Sequence, residues 1–184
     1  MTTAGALRLR ALPGRAVTRA GRLPRRWRIT VAAVLIVLVA GAAMTAVRLA
    51  AEAGRDAAVA RARSGALAAA TADMRQILSY DYRSIGADLA RARADTTGQF
   101  RGEFGILAGQ LIGPAAREQR TVTRATVPDA AVISATADRV VLLLFIDQTT
   151  TSKARQQPQR AASQVRVTME RAGGRWLVAQ FQAL

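Results

Sequence analysis

The chain has 184 residues, 27 Lys+Arg against 12 Asp+Glu for a formal net charge of +15, and neither Cys nor His. The missing Cys and His remove thiol nucleophiles, disulfide staples, imidazole bases and the usual zinc ligand sets together. The length suits one modest folded domain with something added to it.

The charge is unevenly distributed. Residues 1–28 hold eight arginines and no acid, whereas the remaining 156 residues hold 19 basic and 12 acidic groups and net only +7. Pro13-Gly14 and Pro24 break any helix there, so residues 1–28 read as a disordered, cytoplasmic basic arm. No aromatic residue interleaves with the arginines before Trp27. The arm therefore reads as a topology signal that touches anionic headgroups, and nucleic acid is not expected as a partner.

Residues 29–48 follow as a transmembrane helix that puts the chain in contact with the lipid bilayer. From Ile29 to Val47 there are 19 residues without a charge, bracketed by Arg28 and Arg48. As a helix this run rises about 28 Å, the thickness of a bilayer core. The arginines before it put the N-terminus in the cytoplasm and the remainder outside, at the inner or plasma membrane. A cleaved signal peptide is the competing reading, because Ala40-Gly41-Ala42 resembles a small-x-small cleavage site. The length of the run and of the basic region favours a retained anchor.

Residues 49–118 read as the helical part of an outer domain. Val59, Ala62, Ala66, Ala70 and Ile77 fall on helical spacing, widened by Leu67, Met74 and Leu78. A short helix from about Tyr82 to Ala94 follows, and Asp95-Thr96-Thr97-Gly98 is a loop and cap cluster. Phe100, Phe104, Leu107 and Leu111 then give one core stripe on a third helix, stopped near Gly113-Pro114. Gly102, Gly105 and Gly109 flank that stripe and suggest a close helix–helix contact. They match no phosphate-loop spacing.

Residues 119–184 change to period 2 and read as the sheet part of the same domain. Strands are expected at 122–127, ending at a Pro128-Asp129 turn, at 131–136, 140–149 and 165–170, and after the Gly173-Gly174 hairpin. Turns this short make neighbours antiparallel, so the fold class is α+β: one N-terminal transmembrane helix, then helices packed on a curved antiparallel sheet. Val140 to Ile146 are seven consecutive apolar residues followed by Asp147. Seven are too few to cross a bilayer as a helix. The run reads as a central strand buried on both faces, one by the helices and the other by a bend in the sheet or a partner.

Four strings in this order are similar to the actinobacterial Mce-associated membrane proteins: Ser79-Tyr80-Asp81-Tyr82, Thr97-Gly98-Gln99-Phe100, Phe145-Ile146-Asp147-Gln148 and Gly174-Arg175-Trp176-Leu177-Val178. The resemblance covers about residues 29–184. It implies a non-catalytic accessory subunit that supports an Mce lipid or sterol importer of the cell envelope, through protein partners in the transporter or through self-association. It also implies an outer domain similar to the ketosteroid-isomerase-like cone and to assembly proteins of type IV secretion.

The alternative is a small-molecule pocket protein, a lipid carrier or a hydrolase/isomerase. Asp147 would then be a general base held among apolar groups, with Tyr80 or Tyr82 beside it. Against this, a lone carboxylate at a strand end is usually structural. Tyr80 and Tyr82 would point to different faces of a helix, one into the core and one to an interface. Trp176 reads as a plug between sheet and helices. These four are the candidate pocket or interface residues; no catalytic residue, cofactor or metal is expected.

Overall fold

A computed structural model describes residues 24–184, and the basic arm lies almost wholly outside them. Helix α1 (Arg25–Ile77) begins directly after Pro24. Every side chain from Ile29 to Val47 is exposed. An uncharged helical run without protein cover is stable only where lipid replaces water, because the helix satisfies its own backbone groups. The chain is therefore membrane-anchored.

The region from Leu49 onward is a compact unit of its own. Its α1 segment buries Ala62, Ala66, Ala70, Met74 and Ile77, one stripe at spacings of three and four. Strand β1 (Tyr80–Asp81), α2 (Ile85–Ala94), α3 (Gly98–Leu107), a π-helical turn (Ala108–Ile112) and α4 (Gly113–Gln119) follow. Then come β2 (Val122–Ala135), β3 (Arg139–Thr151), β4 (Gln159–Ala172) and β5 (Arg175–Ala183). The five strands form one antiparallel sheet in chain order β1 to β5. The class is α+β, as the change of period indicates.

Several local expectations are corrected. Pro128-Asp129 is not a turn: β2 runs through it, and the register shifts between Thr126 and Asp129. A β-bulge accommodates a proline that cannot donate to the ladder. Tyr80 and Asp81 belong to a short edge strand paired with Thr123 and Val122, so no helix begins at Tyr82. Gly113-Pro114 opens α4 instead of ending a helix, since the first turn needs no N–H from proline.

The apolar stripe of the third helix is only half core. Phe104 is buried and Phe100 stacks on Phe181, but Leu107 and Leu111 are exposed together with Ile106. Ala108, four residues after Phe104, continues the buried face, and the π-helical turn, with one residue more than an α-turn, carries that face on to Gly113 and Ala116 and leaves Leu111 outside. Gly102 and Gly109 face open space, and Gly105 is approached by the Arg93 guanidinium of α2, so of the three glycines Gly105 alone meets a neighbouring helix, through a side chain and not a backbone.

Strand β3 sits third of five. Val140, Leu142, Leu144 and Ile146 are at most 1 % exposed against the helices. Val141, Leu143 and Phe145 on the other face are only half-buried, and Asp147 is exposed. The expectation of burial on both faces therefore fails for the chain by itself: the helices cover one face and leave the other open.

Trp176 is buried against α1. A Cβ placed on Gly65 would come within 3.0 Å of its Nε1. Gly65 thus has a packing role, in addition to its cost in helix propensity. Gly65→Val is expected to lower stability by about 1.5 kcal/mol through overpacking. A shifted urea midpoint together with altered Trp fluorescence would show it.

Candidate functional site

The four residues singled out from sequence do not converge. Asp147 pairs with Thr126 and Ala162 and lies on the open sheet face. With Pro128, Asp129, Phe145, Gln164 and Leu184 it lines an open groove of about 660 Å3. Tyr82 lines a different cleft, beside Arg120, Thr151 and Lys153. Tyr80 is half-buried in β1, and Trp176 is in the core. Tyr80 and Tyr82 are neither on a helix nor in the core; the Arg83 guanidinium stands 4.7 Å from the Tyr82 ring centroid. A carboxylate enclosed by apolar groups, which the general-base reading needs, is not what surrounds Asp147.

The Ser79-Tyr80-Asp81-Tyr82 string instead fastens the sheet edge. The Ala125 N–H donates to Ser79 Oγ at 2.9 Å, and the Tyr82 N–H to the Thr121 carbonyl at 3.0 Å. Asp88 of α2 accepts from the Asp81 N–H at 2.9 Å, from the Ser84 hydroxyl at 2.8 Å and from Arg91. Burial alone would raise its pKa. The Asp81 N–H, Ser84 and Arg91 outweigh burial and hold it below the usual carboxylate range.

A second polar cluster was not legible in the sequence. Asp95, the C-cap of α2, accepts from Gln76 of α1 and from the Arg175 guanidinium of β5 at 2.8 Å. Its carbonyl takes the Val178 N–H, and the Thr97 N–H donates to the Val178 carbonyl, both at 2.9 Å. The Asp95-Thr96-Thr97 loop is thereby laid along β5. Asp73 of α1 belongs to this cluster, and its Oδ2 is buried without a hydrogen-bond partner. Burial, and secondarily the Asp95 charge, push its pKa up to about 7 against the opposing pull of Arg175. The nearest signal in the sequence is an acid on a stripe-bearing helix. Nothing in the spacing links it to residues 22 and 102 positions later.

Two open surfaces stand out among the described residues. One is the apolar outer face of the sheet: Val141, Leu143 and Phe145, with Ile133 and Leu184 both more than half exposed. The other is a polar cleft of about 650 Å3 between the end of α1, the start of α2 and β2.

The family model described as "Uncharacterized protein Rv1363c/MT1408-like" matches residues 27–182. The chain belongs to the Rv1363c/MT1408-like family. Among relatives of this family member, the "Outer membrane protein Rv1973" of Mycobacterium tuberculosis is 42 % identical over 130 residues, covering 71 % of this chain and 79 % of that one. Two solved structures share the fold at low identity. An IcmL-like type IV secretion system protein from Legionella pneumophila has a TM-score of 0.56 at 12 % identity, over 66 % of this chain and 91 % of that one. CagV, a VirB8 homolog from Helicobacter pylori, has a TM-score of 0.53 at 12 % identity, over 65 % of this chain and 96 % of that one.

Proposed function

We propose that this Rv1363c/MT1408-like protein is a non-catalytic accessory subunit that supports the assembly or stability of an Mce-type lipid or sterol importer. Its anchor would lie in the inner membrane with the N-terminus cytoplasmic, and its sheet domain would stand outside. The observation that carries this reading is the open apolar face of the sheet on a membrane-anchored domain. Val141, Leu143 and Phe145 belong to a strand apolar on both sides, and a second cover would complete its burial. The exposed Ile106, Leu107 and Leu111 add a second apolar area. Fold likeness to type IV secretion system proteins is consistent with a scaffold role. The four candidate residues share no pocket, which argues against a catalytic centre built from them.

The test is purification of the tagged full chain from detergent-solubilised membranes. Mce subunits are expected to co-purify, to fall in abundance when the gene is deleted, and to be lost from the complex on Leu143→Asp. Unchanged transporter levels on deletion, with no Mce subunit retained, would overturn the proposal. The pocket reading would instead require Asp147→Asn to abolish a turnover while the complex stays intact.

A further inference from the structure

The polar cleft beside β1 is lined by exposed arginines, two of which have no carboxylate partner among the described residues. We propose that it binds a phosphate group, carried either by free phosphate or by a lipid headgroup. Three arginines from three elements line it: Arg75 in the last turn of α1, Arg91 in α2 and Arg124 in β2. The carboxylates in the cleft are already engaged. Asp88 accepts three donors, and Asp81 accepts the Arg83 N–H at 2.9 Å and its guanidinium at 3.3 Å. Among the described residues, neither Arg75 nor Arg124 has a carboxylate within salt-bridge distance.

Further donors line the same cleft. Arg91 spends one of its five N–H groups on Asp88, and Ser79, which accepts from Ala125, keeps its own proton to donate. A ligand that satisfies this set must be rich in acceptors and negatively charged. A carboxylate has only two oxygens to offer. A phosphate has more, and guanidinium forks match its geometry bidentately. The volume exceeds that of a bare ion and leaves room for the group that carries the phosphate. The site is independent of the apolar sheet face and of the accessory reading.

The experiment is a calorimetric titration of the full chain in non-ionic detergent, with inorganic phosphate and with dihexanoyl phosphatidate as separate probes. At least one probe is expected to saturate. Arg75→Gln and Arg124→Gln should each weaken it about tenfold or more, the loss of one charged hydrogen-bonding partner. Arg101→Gln, which removes the same charge from the exposed side of α3, should leave binding unchanged. Circular dichroism establishes that all three variants fold. Tighter binding of phosphatidate identifies a headgroup as the source, and binding of phosphate alone identifies the free ion. The proposal is overturned if neither probe saturates in the millimolar range, or if Arg101→Gln weakens binding as much as Arg124→Gln. It is equally overturned if a glutamate-rich peptide without phosphate competes on equal terms.

Discussion

Leu144→Ala is expected to destabilise the outer domain by about 3–4 kcal/mol, and Leu143→Ala, its neighbour on β3, by less than about 1 kcal/mol. The two side chains are chemically identical and adjacent in the chain. They differ only in which side of the sheet they occupy. Leu144 has no exposed surface and belongs to a core shared with Ala66, Ala70 and Met74 of α1 and with Val165 and Val167 of β4. Truncating it to a methyl removes Cγ and both Cδ atoms, three heavy atoms packed on all sides, and leaves a cavity that the sheet cannot close. Leu143 lies between Ala131 and Arg166 on the open face, where water already reaches it. Urea unfolding of the purified full chain in detergent measures both variants. Equal losses would mean that the second face is already covered in the purified protein, for example by another copy. Under the proposed accessory role the order inverts in the cell: a polar change at Leu143 spares the fold and disrupts partner binding.

That contrast marks how far the sequence could be read. The seven-residue run from Val140 identifies β3 by composition, and its place in the middle of the sheet follows from being apolar on both sides. Whether a partner or the chain itself covers the second face is a tertiary fact, and period-2 patterning carries no information about it. The stripe from Ala62 to Ile77 was legible because helical spacing records burial directly. The stripe from Phe100 to Leu111 misled at its far end, because a single π-helical turn carries the buried face from Ala108 to Gly113 and leaves no mark in composition. Pro128 was misleading in a related way, since a proline signals a break and a bulge satisfies that signal without ending the strand. Of the candidate residues, Trp176 could be placed by its bulk, whereas Asp147 drew attention through its apolar neighbours. Those neighbours in sequence alternate across the sheet, so half of them lie on the far side from Asp147. The carboxylate whose environment is most unusual, Asp73, sits in a polar cluster assembled from α1, α2 and β5, and such an assembly exists only once the chain has folded.

Asp73→Asn is expected to stabilise the outer domain by about 2 kcal/mol above pH 7 and to leave it nearly unchanged at pH 4. Asp73 is raised from the ordinary aspartate range to about 7. The folded state therefore holds a proton that the unfolded chain has already released between about pH 4 and pH 7. Stability contributed by this group is complete below the unfolded pKa, falls as pH rises through that window, and is fully lost above pH 7. The groups that face it are Asp95 from α2, which opposes its ionisation, and Arg175 from β5, which favours it. Partial exposure of Asp73 limits the penalty, hence the modest figure. Asp88 slopes the other way. Its depressed pKa contributes stability that is present above the usual carboxylate pKa and lost as pH falls below it. The two acids together favour a stability maximum on the mildly acidic side of neutrality. Urea midpoints across pH 4 to 8 test this directly: the wild type should weaken toward pH 8, Asp73→Asn should remain level there, and Asp88→Asn should lose the acid-side dependence. A wild-type profile with no decline between pH 5 and 8 would mean that Asp73 is ionised in the folded protein, with Arg175 answering its charge instead of Asp95's.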